Sequence, residues 1–238
     1  MIRSQFLKAC VFAIPVLLTT AGCSRVSDES STRSRTTETA KTVDISYVRF
    51  VDAHHGSESL YFGDMLAFNG GGTKVTDYKS LPAERRQFAL KTAATADAIA
   101  TNSEGLDKEK HYTVVAFDDR TGKASLRVVN DDEKAPDVGK AKVRILHASP
   151  DMEGIKLYAH GRKDEIATQS RFTTGSNWQE IDPVKGDLEL RTTDKKDGVV
   201  QIPDVTLQAG KLYTFIVRGG SDTKERLNVS TIIDEPRS

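Results

Sequence analysis

Two cysteines, Cys10 and Cys23, are all that 238 residues contain. Cys10 lies in a leader that processing is expected to remove, so Cys23 is left alone and no disulfide framework holds the folded part. After residue 22 no apolar run approaches the roughly 18 residues that a membrane-spanning helix needs. An excess of one charge is also missing. The 34 basic residues face 34 acidic ones, and losing Arg3 and Lys8 with the leader leaves 32 against 34, a net charge of −2. That balance provides no electrostatic footprint for nucleic acid. A hydrophobic content of 37% is low for a compact enzyme. No Gly-x-Ser-x-Gly elbow, His-x-x-x-His pair or Asp-x-Asp-x-Asp-Gly loop occurs, so the usual local signatures of a serine nucleophile, a zinc site and a calcium loop are absent. Asn69-Gly-Gly-Gly-Thr73 is followed by neither Lys-Ser/Thr nor a helix, and reads as a hairpin tip rather than a phosphate loop.

What is present begins at the N-terminus. Arg3 and Lys8 form a short positive region, Ala9 to Leu18 an apolar core, and Thr19 to Gly22 a run of small residues. This is the pattern of a signal peptide over residues 1–22, with about half the apolar length of a membrane helix. The junction Thr20-Ala21-Gly22-Cys23 resembles the bacterial lipobox, with Thr20 in place of the usual Leu. The resemblance implies cleavage between Gly22 and Cys23, a diacylglycerol on the Cys23 thiol, and acylation (palmitate or a similar chain) of the new amine. Two or three chains at about 0.8 kcal/mol per buried CH₂ anchor a protein durably. Ser24 follows, and by resemblance to Gram-negative lipoproteins a residue other than aspartate there implies the outer membrane, with a periplasmic or surface-exposed body. Residues 24–43 are dominated by Ser, Thr and mixed charge and contain no aromatic residue. Such a stretch cannot bury enough apolar surface to offset its ordering entropy. Residues 23–43 are therefore expected to be a disordered tether, spanning about 25 Å on average as a flexible coil.

The remainder is self-similar. Tyr47-Val-Arg-Phe-Val-Asp-Ala53 matches Lys142-Val-Arg-Ile-Leu-His-Ala148, and Leu60-Tyr61 matches Leu157-Tyr158. Phe88-Ala-Leu90 matches Leu188-Glu-Leu190, and Lys110-His-Tyr-Thr-Val-Val-Ala116 matches Lys211-Leu-Tyr-Thr-Phe-Ile-Val217. Ser125-Leu-Arg-Val-Val-Asn-Asp131 more loosely matches Asn228-Val-Ser-Thr-Ile-Ile-Asp234. The order is kept and the offset stays between 95 and 103 residues, so two copies of one domain are expected at 44–131 and 140–236, joined by a short linker at 132–139 that Pro136 stiffens. β-Branched and aromatic alternation between turn signals predicts about seven strands per copy and an antiparallel sandwich. Tyr112, Val114 and Ala116 alternate with Thr113, Val115 and Phe117, which predicts a strand covered on both faces. Lys185-Gly-Asp187 reads as a turn, Pro82–Gln87 as a single helical turn, and the polar segment Ala93–Leu106 as an irregular loop.

Ala141-Lys-Val-Arg-Ile-Leu-His-Ala-Ser-Pro-Asp151, then Ile155-Lys-Leu-Tyr-Ala159 and Ala209-Gly-Lys-Leu-Tyr-Thr214, resemble the motifs of a bacterial family called domain of unknown function 4397. The resemblance covers 140–220 well and 45–118 weakly. In the first copy Asp52-Ala-His-His55 stands for His-Ala-Ser-Pro, and Lys108-Glu-Lys-His-Tyr-Thr113 for the glycine turn. It implies immunoglobulin-like sandwiches, extracytoplasmic, often in tandem and lipid-anchored, and it supplies no catalytic residues.

Several residues invite a chemical reading. His147, Ser149 and Asp151 look like a hydrolytic trio, but alternate residues of a strand have Cβ atoms about 7 Å apart, too far for a nucleophile–base hydrogen bond. A histidine satisfied by turn carbonyls is the favoured reading. His54 and His55 face opposite ways on a strand, and His111 and His160 belong to no ligand-spaced pair, so no metal site or cofactor is assigned. Asp131, Asp132, Glu133 and Asp137 are read as a solvated acidic linker rather than an interdomain calcium site. Trp178 and its counterpart Tyr78 are core-edge aromatics or ligand platforms. If a ligand binds, His147, Asp151 and Trp178 are the residues expected to hold it. The sequence thus reads as an all-β chain: two tandem immunoglobulin-like antiparallel sandwiches behind a signal peptide and tether, forming a non-enzymatic binding or structural module of the cell envelope. Its partners are membrane lipid through acylated Cys23 and an envelope protein or polysaccharide, with no nucleic acid. The alternative is a carbohydrate- or small-ligand-binding lipoprotein.

Overall fold

The structure, a computed structural model, describes residues 43–237 except 55, 57, 71–74, 93–96, 151, 162–164, 170–171, 173–176, 194–199 and 220–226. The signal peptide, the Gly22–Cys23 cleavage site, most of the tether, His55, Gly71 to Thr73 and Asp151 lie outside the described residues. Residues 42–238 make up one compact unit.

The fold is all-β. The first half holds β1 (Ile45–Asp52), β2 (Ser59–Phe62), β3 (Met65–Phe68), β4 (Lys79–Pro82), β5 (Arg85–Lys91), β6 (Ala98–Gly105), β7 (His111–Asp118) and β8 (Ala124–Asn130). The second holds β9 (Ala141–Ala148), β10 (Ile155–Ala159), β11 (Glu165–Gln169), β12 (Gln179–Ile181), β13 (Val184–Thr192), β14 (Val200–Leu207), β15 (Leu212–Arg218) and β16 (Asn228–Asp234). Each half makes two four-stranded sheets. Their orders are β4-β1-β7-β8 and β3-β2-β5-β6 in the first half, then β12-β9-β15-β16 and β11-β10-β13-β14 in the second. The connectivity is the same in both, and residues matched in sequence take matched registers, as in Val48↔Tyr112 and Val143↔Tyr213.

Pairing is not purely antiparallel. β1 runs parallel to β7, and β9 parallel to β15. The chain leaves each sheet for the facing one and returns later, so the two central strands are joined by a long crossover rather than a hairpin.

Period-2 alternation separates two kinds of burial on these central strands. In the first half Val48, Phe50, Tyr112 and Val114 turn inward onto Leu60, Phe62, Phe88 and Leu90 of the facing sheet. In the second half Val143, Ile145, Tyr213 and Phe215 turn inward onto Ile155, Leu157, Leu188 and Leu190. The opposite faces are covered too. Val51, Val115 and Phe117 of the first half pack with Leu146, Ile216 and Ile232 of the second, forming a third apolar cluster. The two sandwiches meet there face to face, so β7 is buried on both sides, as its alternation predicts.

Some local expectations fail for identifiable reasons. Each half has eight strands rather than seven. The supposed loop Ala93–Leu106 contains β6, an edge strand paired with β5. Thr101 and Ser103 face solvent at a sheet margin, while half-buried Asn102 donates to the Leu126 carbonyl at 3.1 Å, so apolar alternation is not required. Pro82 ends β4 and Arg85 begins β5, so the stretch read as a helical turn is a link between strands. Lys185-Gly186-Asp187 is an irregularity inside β13 rather than a turn. Gly186 has φ 130°, and the register with β14 shifts between Gly186 and Leu188.

Candidate functional site

The charged residues of the inner strands converge between the sandwiches. Arg49 lies on β1 between Val48 and Phe50, so its side chain faces the junction, and it is 3% exposed. Arg144 holds the matched position on β9 and is equally buried. Buried guanidinium groups demand acceptors for their N–H groups. Arg49 Nη1 and Nη2 donate to the two carboxylate oxygens of Asp234, at 3.0 and 2.8 Å, and Nε donates to Thr113 Oγ1 at 2.8 Å. Arg144 Nη2 pairs with Asp131 Oδ1, Nη1 donates to the Asn130 carbonyl at 3.0 Å, and Nε donates to Thr214 Oγ1 at 2.9 Å.

The exchange is reciprocal. Arg49 of the first sandwich takes the aspartate ending the last strand of the second. Arg144 of the second takes Asp131, which follows the last strand of the first. Thr113 and Thr214 are matched positions as well. A symmetric dimer interface has this form, residue i meeting j and j meeting i, although a single chain supplies both sides here. Aromatic rings cover the guanidiniums: Arg49 sits 4.6 Å from the Tyr78 ring centroid and Arg144 4.4 Å from that of Trp178. Asp131 also accepts the Tyr78 hydroxyl at 2.8 Å and the Thr113 hydroxyl at 2.5 Å. Burial, with Asp131 beside it, pushes the Tyr78 phenol far above its ordinary range. Burial acts to lower the Arg49 pKa, but Asp131 and Asp234 outweigh it and hold the guanidinium above its usual value.

The acidic linker is engaged in the same way. Asp132 meets His111 Nδ1 at 3.1 Å and Lys110 Nζ at 3.5 Å, and Glu133 accepts from Lys142 Nζ at 2.6 Å. Asp137 donates its backbone N–H to Glu180 Oε1 at 3.0 Å. Among the described residues no group of three or more His, Cys, Asp or Glu side chains is placed to hold a metal ion.

His147, on β9, faces the interior of the second sandwich. Nε2 lies 3.1 Å from the Met152 carbonyl, Nδ1 accepts the Ser149 backbone N–H at 3.3 Å, and Phe172 meets the ring edge-on at 5.7 Å. This tautomer places the proton on Nε2. Ser149 Oγ donates to the Gly219 carbonyl instead of approaching the imidazole. Trp178, just before β12, lies over Arg144 on the other face of β9. The strand therefore separates His147 from Trp178, and Asp151 lies outside the described residues. Each remaining described histidine meets a carboxylate: His54 with Asp118 at 2.7 Å, His111 with Asp132, and His160 with Glu189 at 2.5 Å.

Two clefts open beside the junction. The larger, about 660 Å³, is lined by Lys110, Arg127, Asn130, Arg144, Asn177 and Trp178, with Asp132 and Glu133 in its wall. The second, about 580 Å³, adjoins it and adds Lys134 and Arg237. Sequence reasoning reached Trp178 but missed Arg127, Arg49 and Arg144. The available signal was an arginine repeated inside two otherwise apolar strands, which no solvated position accounts for.

A family model described as "Domain of unknown function (DUF4397)" matches residues 43–158. That span takes in the whole first sandwich together with β9 and all but the last residue of β10, so the match falls mainly on the half expected to resemble the family weakly and stops at residue 158 of the half expected to resemble it well. No curated protein matches the chain. Among solved structures, the tip fimbrial protein Mfa3 from Porphyromonas gingivalis, with a C-terminal truncation, is 10% identical with a TM-score of 0.28, covering 81% of this chain and 99% of its own. A candidate cell-adhesion protein from Bacteroides ovatus is also 10% identical with a TM-score of 0.25, covering 83% and 99%. TM-scores this low assign neither a fold nor a role to this chain.

Proposed function

We propose that this chain is an extracytoplasmic lipoprotein of the cell envelope, held to the outer membrane by acyl chains on Cys23. In this reading it carries two copies of one sandwich domain, at 44–131 and 140–236, and acts as a non-enzymatic binding or structural module. The anchor reading draws on the small-residue run that ends at the single cysteine of the mature chain and on the polar tether behind it. The observation that carries the non-enzymatic reading is the reciprocal pairing of Arg49 with Asp234 and Arg144 with Asp131. These four charged groups are thereby committed to joining two bodies. His147, the centre of the one catalytic trio the sequence suggests, is held by backbone groups of its turn.

The experiment is fractionation with metabolic labelling by an alkyne-bearing palmitate analogue. The expected result is label on the wild-type protein and its recovery with outer membranes, both lost in Cys23→Ser. Identical fractionation of wild type and variant, with no label on either, overturns the anchor. A second reading, binding of a carbohydrate or small ligand, is favoured by the cleft beside Trp178. A blank array of neutral and acidic glycans counts against it.

A further inference from the structure

The larger cleft contains a cation that the ion-pair network does not use. Arg127 is on β8, half-buried, in the wall of the cleft. Among the described residues no carboxylate pairs with it, and burial is what pulls its pKa below the ordinary range. Arginines this far withdrawn from water are normally paired. Beside it Arg144 is committed to Asp131, and Lys110 is shared with Asp132.

Tyr78 carries two guanidiniums, Arg49 at 4.6 Å and Arg237 at 4.8 Å from its centroid. Trp178 carries Arg144 at 4.4 Å and, among the described residues, no second cation. Arg237 comes three residues after Asp234. The residue three after Asp131 is Lys134, which lines the neighbouring cleft instead. The chain thus completes the stack at Tyr78 with its own arginine, while the matched aromatic borders an open cleft of about 660 Å³.

We propose that this cleft binds a saccharide unit bearing a carboxylate, with the sugar ring against Trp178 and the carboxylate paired with Arg127. The indole offers a flat apolar surface for the C–H face of a pyranose. The planar guanidinium matches a carboxylate in two parallel hydrogen bonds. Asn130 and Asn177 supply donors and acceptors for hydroxyl groups. Asp132 and Glu133 in the same wall repel a polyanion, which selects a singly charged sugar unit over nucleic acid. This inference rests on the ligand-binding reading above and is independent of the lipid anchor.

Trp178 is the chain's only tryptophan, so its emission reports on this cleft alone. The test is fluorescence titration of the detergent-extracted full chain with methyl galacturonoside and sialyllactose, each bearing a single carboxylate, against neutral galactotriose. The expected result is a saturable change with the acidic sugars and at least tenfold weaker binding of galactotriose. Arg127→Gln is expected to bring the acidic sugars down to the neutral level, with an unchanged melting temperature showing that the fold is intact. Equal binding of neutral and acidic sugars, or unaltered affinity in Arg127→Gln, overturns the carboxylate assignment while leaving a carbohydrate site standing. No response to any of the three sugars overturns the inference. The array then decides separately whether the ligand-binding reading survives.

Discussion

A guanidinium placed between two packed sheets loses its water, and the effective penalty of several kcal/mol is offset only when its donors are matched by well-placed acceptors. Arg49 meets that condition with a bidentate aspartate, a threonine hydroxyl and a tyrosine ring. Removing the arginine alone leaves Asp234, which is 7% exposed, with the longer contact to Arg237 Nη2 at 3.6 Å in place of a bidentate pair. Arg49→Met is therefore expected to lower unfolding free energy by about 3–5 kcal/mol, and Arg49→Met with Asp234→Leu to recover most of that loss, because an apolar pair of similar volume replaces a buried ion pair at little cost. Urea denaturation of the four members of the cycle measures both. A loss below about 1 kcal/mol in Arg49→Met would mean that the pair is solvated and not buried. The arginines were visible in the sequence, since Val-Arg recurs at 48–49 and 143–144. Their partners were not, because pairing between the halves depends on how two sandwiches dock, and matched segments along one chain carry no such information. Asp131 consequently read as part of a solvated linker although it is 1% exposed.

Elements with strong periodicity were legible, and those at sheet margins were not. The two-sided burial of β7 followed from unbroken apolar alternation, whereas β6 escaped notice because an edge strand facing solvent has no reason to repeat apolar residues. The turn into each parallel central strand is an instructive intermediate case. Gly210 (φ 81°) donates its N–H to the Lys140 carbonyl, and Glu109 (φ 61°) at the matched position donates to that of Ile45. The backbone is thus left-handed in both halves, although one half has a glutamate where the other has the glycine that signals it. A residue with a Cβ is strained there by about 1–2 kcal/mol, part of which glycine gives back through its freer unfolded chain. Glu109→Gly is expected to stabilise by about 0.5–1 kcal/mol. Gly210→Ala, whose Cβ would meet no atom within 4 Å, is expected to destabilise by about 1 kcal/mol through conformation alone. Thermal melts of the two variants should shift in opposite directions. A shift of the same sign in both would refute the shared turn.

At the scale of the whole molecule, two sandwiches of equal connectivity are joined through an apolar cluster drawn from both and through two buried ion pairs that cross between them. Tandem domains in one chain commonly meet through polar surfaces and move relative to one another. Here the outer face of each inner sheet is core, so neither half keeps its burial if the other unfolds. Residues 23–43, if they tether this body as proposed, would position one unit rather than two. The most direct test is calorimetric melting of the full chain in detergent. One transition is expected, with calorimetric and van 't Hoff enthalpies in agreement, whereas two resolved transitions, one for each sandwich, would show that the halves unfold independently.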